Sequence, residues 1–299
     1  MKIFTFVLSV LFSAFVFGCG GGIVDPEPGP TYQEALARML AAQPYATWSP
    51  AGDQILFCRD GNIWVMDREG SSLEKLIIFP DENKKASRPD WNGDRIIFQL
   101  NYPESNRSEI YSQRAFSGMA EKIDFGLPEG SYQFPARSSD GNFIVFTFND
   151  RMYLSEYPPK GIATLINVGE KINKDCQWIG MYSWSSDGRI AFVAKTSEGT
   201  NIFVMEDLQT RAVIRITEGN VRDYNPSWSH NGLYLAFDSN RFTIAGEYNI
   251  CLIKSDGSDL KQLTKESGAY PKFHPGNYDL LYSSKMVEGW RINLLHKAI

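Results

Sequence analysis

One phrase occurs six times between residue 44 and residue 299, and this repetition limits the fold more than any other feature of the chain. Three copies are plain: PYATWSPAGDQILFCR from Pro44, GMYSWSSDGRIAFVAK from Gly180 and YNPSWSHNGLYLAFDSN from Tyr224. Three are weaker: RPDWNGDRIIFQLN from Arg88, FPARSSDGNFIVFTF from Phe134 and YPKFHPGNYDLLYSS from Tyr270. Trp48, Trp91, Arg137, Trp184, Trp228 and Phe273 then fall at equivalent positions, 43 to 47 residues apart. That spacing is the length of one four-stranded propeller blade.

Each copy has the same internal order. An x-Pro-x-Trp-Ser stretch leads to an Asp-Gly or Asn-Gly turn, as at Asp140-Gly141, Asp187-Gly188 and Asn231-Gly232, which supplies the positive-φ residues a tight hairpin needs. A strand such as Ile190-Ala191-Phe192 follows, then a second turn and a strand such as NIWVMD from Asn62 or NIFVMED from Asn201. A short fourth run, such as LEKLIIF from Leu73 or AVIRIT from Ala212, closes most copies. Four antiparallel strands repeated radially predict an all-β chain: a six-bladed β-propeller of four-stranded antiparallel blades. The 299 residues therefore make one propeller over 44–299, and 25 Gly, 15 Pro and 13% aromatic residues fit strands joined by turns.

The combined phrase Pro-x-Trp-Ser-x-Asp-Gly, Ile-Ala-Phe, Ile-x-Val-Met and Leu-Thr resembles the repeats of TolB-like six-bladed propellers. These occur in the periplasmic protein TolB and in many bacterial surface lipoproteins. The resemblance covers residues 44–299 and implies the fold; it says little about function. The chain departs from TolB in its N-terminal region, where residues 19–43 are too few for TolB's α/β domain. A role in the Tol–Pal system is therefore not carried over.

Residues 1–18 read as a signal peptide: Met1-Lys2 is followed by the apolar run IFTFVLSVLFSAFVF, of h-region length and short for a membrane span. The segment Val16-Phe17-Gly18-Cys19 resembles a bacterial lipobox, which implies cleavage before Cys19 and its acylation. Acyl chains on Cys19 would hold the domain to a membrane without a transmembrane helix. The expected location is the periplasmic or cell-surface side of a bacterial envelope. Residues 19–43 form a Gly- and Pro-rich tether followed by a helix-prone stretch, TYQEALARMLAAQ. Because the sixth copy shows no fourth strand after RINLLHK, this stretch is the available closing element. Either Gln33–Met39 pairs as the missing strand, or a helix lies across the bottom of the ring.

Net charge of −5 excludes a basic nucleic-acid surface. Catalytic signals are sparse. Gly-x-Ser-x-Gly is absent, and Ser49, Ser185 and Ser229 recur as parts of the turn phrase. Prolyl-oligopeptidase-type peptidases join such a propeller to a hydrolase domain, and these 299 residues contain none. Oligogalacturonate lyase places a His-rich metal cluster in a similar channel. Here His230 and His274 sit out of register and His296 lies apart, so they read as turn and surface residues, with no metal and no cofactor expected. Cys58, Cys176 and Cys251 read as buried thiols, although a Cys176–Cys251 bridge fits an oxidising compartment.

What remains is the channel mouth. Side chains alternate along a strand, so residues one and three before the Trp position share a face. Those at minus one are Thr47, Asp90, Ala136, Ser183, Ser227 and Lys272; those at minus three are Tyr45, Arg88, Phe134, Met181, Asn225 and Tyr270. Charge and hydrogen-bonding capacity concentrate in blades one, two, five and six, which are contiguous around a closed ring, and there Tyr45, Arg88, Asp90, Asn225, Tyr270 and Lys272 form the expected recognition patch. The sequence thus points to a monomeric, lipid-anchored, non-enzymatic module that binds an envelope protein or peptide. A glycan-binding or glycan-cleaving propeller is the alternative.

Overall fold

The computed structural model describes residues 40–41, 45–79, 81, 83–172, 176–243, 247–286 and 289–299. The expected signal peptide, Cys19 and the stretch Gln33–Met39 lie outside the described residues. The described strands form six antiparallel sheets of four. The innermost strands, in blade order, are Ala46–Trp48, Lys85–Asn92, Tyr132–Arg137, Trp178–Trp184, Asp223–Trp228 and Ala269–Phe273. Each packs against the next, and the sixth returns to the first, so the sheets close a ring. The chain has the six-bladed, four-stranded propeller that the repeat predicts.

The core is divided among six seams, because a blade between two neighbours is covered on both faces and its strands are apolar almost without interruption. In the second strand of blade one, for example, Ile55 and Phe57 pack towards blade six, whereas Leu56 and Cys58 pack towards blade two. The second-strand phenylalanines Phe57, Phe98, Phe146, Phe192 and Phe237 are all fully buried. Equivalent tryptophans stitch the inner ring: the Trp48 indole N–H donates to the Lys272 carbonyl (3.2 Å), and that of Trp184 to the Ala136 carbonyl (3.1 Å).

The repeated serine is a turn brace. The Ser49, Ser138 and Ser229 hydroxyls accept the backbone N–H of Gln54, Phe143 and Tyr234 at 2.9 to 3.0 Å, and each donates to an acidic or amide side chain in the same turn. Ser185 does the same with Arg189 N–H and Asp187. The serine recurs because four of the six inner hairpins are held by this bond; blades two and six carry Asn92 and His274 at its position.

Blade six is completed from the other end of the chain. Leu40–Ala41 pairs antiparallel with Gly289–Leu295, in the register Leu40 to Arg291 and Ala41 to Trp290. The closing strand therefore lies just after the Gln33–Met39 segment expected to supply it. Pairing with an open sheet edge overrides helix propensity at Leu40 and Ala41, since that edge has unmet backbone donors and acceptors. A chain beginning at residue 44 should melt several degrees below one beginning at residue 40, at about 2–4 °C per kcal/mol. Coincident calorimetric transitions would show that the pairing contributes nothing.

Candidate functional site

Five of the six minus-three residues have left-handed backbone: Arg88 (φ 50°), Phe134 (56°), Met181 (57°), Asn225 (51°) and Tyr270 (57°). At each, the inner strand slips register against its partner, for instance between Ser87 and Asp90 and between Tyr224 and Ser227. This is a β-bulge repeated in blades two to six. Pro89, Pro135, Pro226 and Pro271 follow four of these residues and have no N–H to lose where the ladder breaks. The bulge turns residues minus three to minus one towards the ring axis, including minus-two residues that strict alternation would turn away.

A cavity of about 100 Å³ occupies the axis there, and all six blades contribute to its wall. Tyr45, Arg88, Asp90, Asn225, Tyr270 and Lys272 all line it, opposite Phe134 and Met181. Ser183 and Ser227 instead line a second cavity of about 220 Å³, nearer the inner hairpin turns. Their hydroxyls accept the backbone N–H of Trp228 (3.2 Å) and Phe273 (3.0 Å), so they join blades. Asp90 is divided between two tasks: Oδ2 accepts the Arg137 N–H at 3.0 Å, and Oδ1 lies 3.5 Å from Lys272 Nζ. Asp90 and Lys272 border both cavities and mark the waist between them.

Arg88 dominates the smaller cavity. Its guanidinium carbon lies 4.3 Å from the Tyr45 ring centre and 4.2 Å from that of Phe134. Nη2 donates to the Tyr45 hydroxyl (2.9 Å) and Nη1 to Asn225 Oδ1 (3.4 Å). Asn225 Nδ2 in turn donates to Asp238 Oδ1 at 2.9 Å, which also accepts the Tyr270 N–H at 3.0 Å. Tyr45 and Tyr270 meet edge to face, their centres 4.5 Å apart.

Asp238 does not appear among the residues expected from sequence. Burial pushes its carboxyl up to about 7, against the opposing effect of its hydrogen bonds from Asn225 and Tyr270 and the charge of Arg88. Its equivalent in blade two, Gln99, accepts the Phe134 N–H at 3.0 Å, so this second-strand position braces the bulge of the following blade. The available signal was an acid directly after the apolar Leu235-Ala236-Phe237. Burial and the neighbouring Tyr45 and Asp238 keep the Tyr270 phenol protonated.

His274 is not the surface residue expected. It is buried in the seam between blades six and one, edge-on to Trp48 at 4.8 Å. Nδ1 accepts the Gly276 N–H (3.0 Å) and Nε2 bonds the Gly52 carbonyl (3.1 Å), which fixes the neutral tautomer with hydrogen on Nε2. His230 Nδ1 lies 3.1 Å from the Asn277 carbonyl. Cys58 and Cys251 are buried free thiols and Cys176 is half-buried.

No protein-family model matches the sequence, and no curated protein does. Solved structures do. A TolB-type protein from Agrobacterium tumefaciens superposes with a TM-score of 0.63 at 18% identity, over 84% of this chain and 90% of that one. TolB from Acinetobacter baumannii gives 0.58 at 18% identity, over 84% of this chain and 62% of that one. Oligogalacturonate lyase from Vibrio parahaemolyticus gives 0.55 at 13% identity, over 83% and 76%. The fold is the TolB-like six-bladed propeller; identities this low carry the fold and no activity.

Proposed function

We propose that this chain is a lipid-anchored propeller of the bacterial envelope that acts as a non-enzymatic interaction module, taking part of a protein or peptide partner into the channel mouth. The observation carrying this reading is the axial cavity, whose wall combines aromatic rings, a guanidinium, an ammonium and carboxamide and carboxyl groups drawn from all six blades. Aromatic and Arg anchors around a small concavity are the usual makings of a binding hot spot. About 100 Å³ suits the end of one side chain and is far smaller than a typical small-molecule pocket. That favours an inserted peptide group over the glycan reading. Nor is His274 available to a metal, because both ring nitrogens are engaged by backbone. The TolB-like fold is compatible with an envelope location, and the Cys19 lipobox supports the anchor.

A photo-crosslinking residue at Met181, inside the cavity wall, should capture an envelope protein in cells, whereas one at exposed Met119 should not. The Met181 adduct should be lost in a Lys272→Glu background. Equal capture at both positions, or capture indifferent to the charge reversal, would remove the channel from the reading. Mass spectrometry of the same preparation should show a diacylglyceryl group on Cys19.

A further inference from the structure

We propose that the smaller cavity is a carboxylate-binding site in which the edge of the Arg88 guanidinium receives the acidic end of a peptide partner, either a chain terminus or an Asp or Glu side chain. This rests on the interaction reading above and specifies its chemistry.

Three observations support it. Arg88 forms no ion pair with any described carboxylate. Its two hydrogen bonds go to neutral acceptors, the Tyr45 hydroxyl and Asn225 Oδ1, leaving three of its five N–H groups without a partner among the described residues. A half-buried guanidinium in that condition lacks the counter-anion that such groups normally acquire.

The second observation is access. Tyr45 and Phe134 lie at nearly equal distances from the guanidinium carbon, so aromatic rings take up part of its surroundings, and Arg88 lines the cavity through which a ligand would reach its remaining N–H groups. A guanidinium edge matches the paired oxygens of a carboxylate.

The third is charge. Arg88 and Lys272 against Asp90 leave one positive charge on the wall. Lys272 lies near Asp90, so the excess resides at Arg88. The carboxyl of Asp238 stands behind Asn225, whose oxygen faces Arg88 and whose nitrogen faces Asp238. Asn225 is thus a neutral spacer that keeps the internal acid from becoming the partner of Arg88. One unit of excess charge suits a monoanion, and Asp90 on the same wall disfavours a dianion such as phosphate.

The test uses three blocked tripeptides titrated into the purified mature protein and followed calorimetrically: acetyl-Ala-Ala-Ala with a free terminus, acetyl-Ala-Glu-Ala amide and acetyl-Ala-Gln-Ala amide. At least one acid should bind about tenfold or more tightly than the Gln peptide, as a charge-assisted bond in place of a neutral one implies. Which acid does so separates a terminal from a side-chain source. Arg88→Gln should bring that ratio close to one, and Arg88→Lys, which keeps the charge but loses the fork, should restore only part of it. A cooperative melting transition well above the titration temperature would show that both variants are folded. Equal binding of all three peptides, or acid selectivity that survives in folded Arg88→Gln, would overturn the site. In that event crosslinking at Met181 could still succeed, and the interaction reading would stand alone. Selective acid binding without any crosslinked protein would instead remove the protein partner and leave the site.

Discussion

Replacing Gly52 with alanine is expected to destabilise the ring by about 3–5 kcal/mol, far more than the same change at the equivalent turn in blade four. Gly52 has φ of +75°, where a side chain costs about 1–2 kcal/mol. The larger part is steric, because a Cβ there would fall inside the van der Waals envelope of the His274 imidazole. That ring cannot swing aside without cost: it is buried, packed on Trp48 and held at both nitrogens by backbone groups. Displacing it would leave the Gly52 carbonyl and Gly276 N–H without their partner, in addition to an overpacking penalty of about 1–3 kcal/mol. The damage falls on the seam where blade six meets blade one, also held by the Arg68–Asp279 ion pair at 2.6 Å. Gly188 is the control: its φ is +88°, but an added Cβ meets nothing within 4 Å, so Gly188→Ala should cost only the conformational share. Denaturant unfolding of both variants makes the comparison. His274→Ala combined with Gly52→Ala should lose less stability than the two single changes added together, because the clash requires both partners. Equal losses at Gly52 and Gly188 would mean that the imidazole yields freely and the seam is not a rigid joint.

How far such features are legible in the sequence depends on whether side-chain chemistry alone determines them. The blades are legible because each must bury two faces and brace one hairpin, which writes the second-strand Phe into five copies and the Trp and the turn Ser into four each. The minus-three and minus-one positions were found from strand alternation. The inclusion of minus two depends on the bulge, a backbone choice that Arg, Phe, Met, Asn and Tyr all adopt and that no one residue type announces. The x-Pro step marks it, since Pro tolerates a broken ladder, but Pro fits an unbulged edge equally well. Asp238 is missed and His274 reads as a turn or surface residue for a related reason: each acts through backbone groups of another blade, and such partners leave no complementary residue to read. Leu40–Ala41 shows the limit of propensity, where a helix-prone composition supplies a strand because an open edge is waiting.

Stability should fall as pH rises from about 4 to about 7, in a component that Asp238→Asn abolishes. Burial holds the folded-state carboxyl at about 7, while an Asp in the unfolded chain titrates near 4. Below pH 4 both states are protonated and the contribution is fully present. Between the two values the folded state keeps a proton that the unfolded state has released, so each pH unit removes about 1.4 kcal/mol, up to about 4 kcal/mol in all. Above 7 both are ionised and the slope vanishes. Other groups act with different signs or windows. His274, whose pKa burial lowers, loses stabilisation as pH falls below 6.5. Asp140, held low first by the Ser138 hydroxyl, loses its share only near and below pH 4. Asp238→Asn isolates the component, because an amide oxygen can still accept from Asn225 and the Tyr270 N–H while the titration disappears. The variant should match the parent near pH 4.5 and exceed it by several kcal/mol at pH 8, measured by urea unfolding at both. Parallel profiles would place the Asp238 carboxyl in contact with solvent. Arg88→Gln should extend the parent's loss to higher pH and deepen it, since the guanidinium is the positive charge that favours ionised Asp238. The buried acid behind Asn225 and the guanidinium in front of it are therefore coupled through one side chain. A carboxylate arriving at Arg88 should favour protonation of Asp238, and the acid selectivity of the channel should sharpen as pH falls through 7.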